Sequence, residues 1–185
     1  MGGVLPPFLG TEPGRIASQS PFRASPEELV FRFGTSPWRN QLLRGLLDFR
    51  AAWRNEGIIA GFQWIDGSFV EDKELVKGQP PSDVDVITVF ERPVAASTGT
   101  AWFRLANKLS STLLDPDFCK TSFRCDAYPI DLGADGKTVA ELSAFWFSLF
   151  SHQRDTFRWK GVVQIPLGDA SMDKAANAEL IRRGA

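Results

Sequence analysis

The sequence predicts an α+β domain, a twisted mixed sheet with flanking helices, and three observations carry that reading. Apolar runs of strand length alternate with longer stretches of helical period, and the helical stretches cluster before and between only a few strands. The 185 residues are the size of one domain. The composition, 43% apolar, 23% charged and 12% aromatic, is that of a globular chain and excludes a disordered or fibrous one.

Residues 1–24 hold Pro6, Pro7, Pro13, Pro21 and four glycines, and read as an extended arm without regular structure. Ser25-Pro26-Glu27-Glu28 starts a first helix, with Ser as N-cap, Pro in the first turn and acids beside the helix N-terminus; Gly34 ends it. Ser36-Pro37 starts a second. Over 37–55, Leu42, Leu43, Leu46, Phe49, Ala52 and Trp53 recur at helical spacing. A strand over 58–65 runs into Asp66-Gly67-Ser68. Residues 69–82 read as a loop, and 83–90 as a mostly buried strand. A helix is expected over 98–114, a strand over 122–132, a helix over 138–152 and a last strand over 162–167. Leu142, Phe145, Trp146 and Leu149 form a stripe on the 138–152 helix that reads as core rather than a base-stacking platform. Residues 168–185 are an Ala-rich polar helix or tail. The organisation is therefore an arm (1–24), the domain proper (25–167) and a C-terminal helix or tail (168–185).

Several function classes drop out. Two cysteines are too few for a disulfide framework and point to a reducing compartment. With 21 basic and 22 acidic residues, the net charge of −1 argues against a broad polyanion-binding surface, though not against a small phosphate pocket. No secretory signal is visible, and the longest apolar stretch, around 144–150, is far short of a ~20-residue membrane span. The expectation is a soluble, cytoplasmic protein with no membrane partner. The single histidine, His152, makes a His-rich zinc site or a Ser-His-Asp hydrolase hard to build.

Three features carry chemistry. Gly67-Ser68 follows an apolar strand, where glycine lets a ligand approach the backbone and exposed amides with a hydroxyl could hold a phosphate oxygen. Taken alone, the dipeptide reads first as an ordinary turn. Asp83-Val84-Asp85 opens the next strand, and positions i and i+2 share a face. Paired carboxylates repel unless a cation neutralises them, and hard oxygens suit Mg²⁺. Equally, Asp83 could cap the Pro80-Pro81-Ser82 turn and Asp85 be a solvated edge residue. Asp126, inside the later strand-like run, is a third acid, preferred to Asp131 beyond Pro129. Three such carboxylates can form a two-metal site.

Together, Ile65-Asp66-Gly67-Ser68-Phe69-Val70 and Ser82-Asp83-Val84-Asp85-Val86-Ile87, with a later acid, resemble the nucleotidyltransferase superfamily of the DNA polymerase β type. The resemblance implies a twisted mixed sheet with helices on one side. It implies transfer of a nucleotidyl group from a nucleoside triphosphate, dependent on Mg²⁺ or Mn²⁺, to an unknown hydroxyl acceptor on RNA, protein or a small molecule. Asp83, Asp85 and Asp126 would bind metal, Asp126 would also act as, or orient, the base for the acceptor hydroxyl, and Gly67 and Ser68 would hold the triphosphate. The whole chain also looks like a small bacterial and phage-associated family of unknown function. That likeness runs from Leu5-Pro6-Pro7 through Arg39 and the Gly-Ser and Asp-x-Asp motifs to Arg154 and Lys160-Gly161. Arg154 and Lys160 would serve the nucleotide phosphates. Some relatives look like members of toxin–antitoxin or phage-defence loci, which implies a cognate protein partner. The rival of another class is a catalytically inactive nucleotide-binding or antitoxin-like module of the same fold. Haloacid-dehalogenase phosphatases carry Asp-x-Asp after their apolar strand, whereas here the apolar run 86–90 follows the acids.

Overall fold

The computed structural model describes residues 3–184. Helix α1 (Pro26–Phe33) begins with a reciprocal cap: the Glu28 N–H donates to Ser25 Oγ at 3.1 Å, and the Ser25 N–H donates to the Glu28 carboxylate at 2.7 Å. Helix α2 (Pro37–Asn55) is capped by Ser36, and its Leu42, Leu43, Leu46, Phe49 and Trp53 are buried. Five strands, β1 (Phe22–Arg23), β2 (Gly61–Asp66), β3 (Val84–Phe90), β4 (Cys125–Asp131) and β5 (Val163–Pro166), form one sheet in the order β1-β5-β2-β3-β4. β2 is antiparallel to both its neighbours, while β3–β4 and β1–β5 are parallel, so the sheet is mixed. The remaining helices are α3 (Lys73–Lys77), α4 (Gly99–Leu109), α5 (Pro116–Phe123), α6 (Gly136–Phe150) and α7 (Ala170–Arg182). The class is α+β.

The period-2 alternation of the strands divides the core. Val84, Val86 and Phe90 of β3, with Ile65, Cys125 and Ala127, share one cluster with α1, α2, α5 and α7. Trp64, Ile87, Val89 and Ile130 face the other way, against Trp146 and Phe147 of α6. Helices therefore cover both faces rather than one side, because alternate residues of β3 are apolar on both.

Arg50 of α2 locks the first layer. It is fully buried, donates to Asp173 of α7 at 2.9 Å, to Gln63 of β2 at 2.8 Å and to the Pro166 carbonyl at 2.7 Å. Arg54 makes a second ion pair to Asp173.

Several expected elements differ. The arm is not wholly irregular: Ile16–Ser18 form a 3-10 turn and β1 joins the sheet edge, its Phe22 N–H donating to the Val162 carbonyl. Met1 and Gly2 lie outside the described residues. The 69–82 segment contains α3, which Gly78 ends in a left-handed conformation (φ 65°). β4 starts at Cys125 because α5 runs through Phe123 and Arg124 turns the chain at φ 57°. The helix expected over 98–114 ends at Leu109. The C-terminal segment is helical, and Ala176 and Leu180 join the first core cluster. The α6 stripe is core only in part: Trp146 packs inward, while Phe145 is 58% exposed and Leu149 47%.

Candidate functional site

Strand register builds the site. Asp85 of β3 lies opposite Asp66 of β2 in the antiparallel pair and opposite Asp126 of β4 in the parallel pair. Directly opposed residues share a face. The three carboxylates therefore line one row across three adjacent strands, on the α6 side of the sheet. Asp83, two residues before Asp85, flanks the row. Asp131 lies at the far end of β4, opposite Phe90 and ion-paired with Arg92 at 2.8 Å, so it takes no part.

Gly67 closes tightly on the row. It has φ +72°, and a Cβ placed on it would fall 1.6 Å from Oδ2 of Asp85. Only a residue without a side chain lets this backbone meet the carboxylate. Ser68, half-buried, follows it in the 3-10 turn Gly67–Val70. Replacing Gly67 by alanine is expected to cost about 2–4 kcal/mol and to displace Asp85. A chemical melt beside Gly78→Ala checks this. Gly78 shares the positive φ but has nothing within 4 Å of its would-be Cβ. Equal losses in the two variants would leave only backbone strain.

Two lysines stand among the acids. Lys160, 3% exposed, ion-pairs Asp66 and Glu71, each at 3.0 Å, and donates to the Gly67 carbonyl at 3.2 Å. It thus holds the Gly-Ser turn from within the protein and is not presented to solvent as a phosphate ligand. Glu71 also accepts from Gln153, and Arg39 donates to the Phe69 and Glu71 carbonyls, bracing the same turn. Lys120 of α5, 51% exposed, bridges Asp83 at 2.8 Å and Asp126 at 3.6 Å. Arg154 is exposed, and its charge acts on Asp85.

The electrostatics follow from this crowding. Burial, then the charges of Asp83 and Asp126, push Asp85 up to about 6. Burial pushes Asp66 up to about 7 against the opposing pull of Lys160. Burial and Asp126, to which its hydroxyl is hydrogen-bonded, raise Tyr128.

The donor set suits a hard divalent cation in kind: carboxylate oxygens on one face, and one of them, Asp66 Oδ1, buried with no hydrogen-bond partner. Among the described residues, however, no three His, Cys, Asp or Glu side chains converge to hold one ion. A groove of about 990 Å³ lies elsewhere, between the arm and α1, lined by Leu5, Leu9, Phe22, Leu29 and Phe33.

Comparison with known proteins finds one family, described as "Family of unknown function (DUF6932)", over residues 2–166. The chain belongs to this family. The DUF6932 match takes in every residue of the acid row, both lysines and Arg154, and stops at the end of β5, before α7. No curated protein matches the chain, and no solved structure does. No helix among the described residues is long and apolar enough to cross a membrane.

Of the residues expected from sequence, Gly67, Asp85 and Asp126 come together, with Asp83 and Arg154 alongside. Asp66, Glu71, Lys120 and Tyr128 were not expected there. Asp66 had a signal, since it shares the parity of Trp64 one residue past the apolar run. Lys120 had none, because only the parallel pairing of β3 and β4 brings α5 to the Asp-x-Asp.

Proposed function

We propose that this chain is a metal-dependent nucleotidyltransferase. The observation that carries the reading is the row Asp66–Asp85–Asp126 with the Gly67 backbone closed onto Asp85. In the reaction, an acceptor hydroxyl oxygen forms a bond to the α-phosphorus of a nucleoside triphosphate. The bond from that phosphorus to the β-phosphate bridge breaks, and pyrophosphate leaves. Asp126 takes the hydroxyl proton. The Gly67-Ser68 turn and exposed Arg154 hold the triphosphate. Asp83, Asp85 and Asp126 would hold Mg²⁺ or Mn²⁺, which when bound supplies charge neutralisation of the phosphates.

A second reading is a nucleotide-binding module without turnover, for which a cognate protein partner is the natural companion. The two lysines that already neutralise the acids favour it. One experiment separates the readings. The protein is incubated with α-labelled nucleoside triphosphates, Mg²⁺ or Mn²⁺, and RNA, protein or small-molecule fractions of a cell extract. Transfer of label, lost in Asp83→Ala with Asp85→Ala, is the expected result. Binding without transfer selects the second reading, and neither binding nor transfer sinks both.

A further inference from the structure

Among the described residues, β1 has β5 on one side and no strand on the other. The Phe22 N–H donates to the Val162 carbonyl at 2.8 Å, and the Ala24 N–H to the Gln164 carbonyl at 2.9 Å. Alternation along the strand therefore turns the Arg23 N–H and carbonyl away from the sheet. Arg23 also lines the groove of about 990 Å³ between the arm and α1, a volume in the range of ligand sites. Leu29, Phe33 and Val163 give that groove a buried apolar floor, while Leu9 is 56% exposed at it and Ile16 91%. Its charge is one-sided. Arg23 and Arg32 line it, and neither has a carboxylate partner among the described residues. The carboxylate of Glu28, the one acid in the lining, is engaged by the Ser25 N–H in the α1 cap.

We propose that this groove takes an extended segment of a partner protein, apolar at alternate residues with Asp or Glu between them, which adds as a further strand beside β1. Main-chain pairing to the free edge supplies affinity, and the groove selects the alternate side chains. The outward Arg23 N–H and carbonyl gain partners, the apolar side chains reach the floor, and the carboxylates meet Arg23 and Arg32. The same features disfavour two other occupants. A second copy pairing β1 to β1 about a two-fold axis sets Arg23 against Arg23, and like charges directly opposed repel. An acyl chain covers the Arg23 peptide without offering it a hydrogen bond. The inference is independent of the reaction proposed for the acid row.

The test selects a phage-displayed library of random ten-residue peptides on the wild type and, in parallel, on the double variant Arg23→Glu with Arg32→Glu. Both side chains are exposed, and circular dichroism melts establish that the variant folds. Sequences alternating apolar and acidic residues are expected from the wild type alone. An enriched peptide, titrated by fluorescence polarisation, is expected to bind the double variant about tenfold less tightly. On the wild type, N-methylating one set of alternate peptide amides is expected to weaken binding about tenfold and methylating the other set to change it little, because only alternate amides face β1. If no sequence is enriched, or the same sequences emerge from the variant, the groove is not this docking site. If both methylated sets bind alike, the strand pairing is overturned. Binding of laurate where no peptide binds would assign the groove to an acyl chain, and a dimer in light scattering that Ile16→Glu dissolves would assign it to a second copy; either result overturns the proposal.

Discussion

Replacing Asp173 by alanine is expected to lower the unfolding free energy by about 3–5 kcal/mol and the melting temperature by roughly 10 °C. Arg50 is fully buried, and Asp173 is the carboxylate that balances it; Arg54 loses the same partner. Gln63 and the Pro166 carbonyl would still accept hydrogen bonds from Arg50, but neither carries a charge. An unpaired buried guanidinium is costly, whereas an apolar pair of similar volume can be close to neutral. The double variant Arg50→Met with Asp173→Leu should therefore regain much of the loss. Urea melts of the three proteins check this. A loss under about 1 kcal/mol in Asp173→Ala would mean that water reaches Arg50 readily.

Asp85→Asn is expected to abolish label transfer, by roughly a thousandfold or more, and yet to raise the melting temperature of the metal-free protein at pH 8. The folded protein holds the Asp85 proton up to about pH 6, while the unfolded chain releases it near the ordinary carboxylate value. Between those values the folded state binds more protons than the unfolded one, so stability falls as pH rises. Above pH 7 the wild type carries the full cost, roughly 3 kcal/mol, of an ionised Asp85. Asparagine removes it. The gain should be largest at pH 8 and shrink toward pH 4, where Asp85 is protonated in the folded protein and about half protonated in the unfolded chain. Thermal melts across that range decide the matter. A variant that melts far below the wild type at pH 8 would make Asp85 a structural residue.

How legible these features were depends on how local their causes are. The caps of α1 and α2 depend on neighbours three residues apart, and both helices lie where Ser25-Pro26 and Ser36-Pro37 place them. The shared face of Asp83 and Asp85 follows from the pleat alone. β1 escaped notice because two residues show no periodicity, and their pairing to β5 is made by backbone groups about 140 residues away in the chain. Lys160 reads in sequence as a basic residue before a glycine, yet its burial beside Asp66 depends on β5 entering the sheet next to β2. The α6 stripe was misjudged because helical period reports which residues share a face, not how much of that face a neighbouring strand covers.

The strand order β1-β5-β2 sets a timetable for assembly. β5 is the last strand in the sequence, yet it fills the gap between the first two. Until residues 163–166 arrive, β2 keeps one edge of unpaired amides and carbonyls, and β1 has no partner in the sheet. Lys160 arrives only three residues before β5, so the Asp66–Glu71 pair also waits for its cation until then. Late, long-range closure of this kind is slow, and an open edge invites pairing with another chain. The step that shields the sheet from self-association is thus the same step that neutralises the floor of the acid row, and a nascent chain halted before it would lack both.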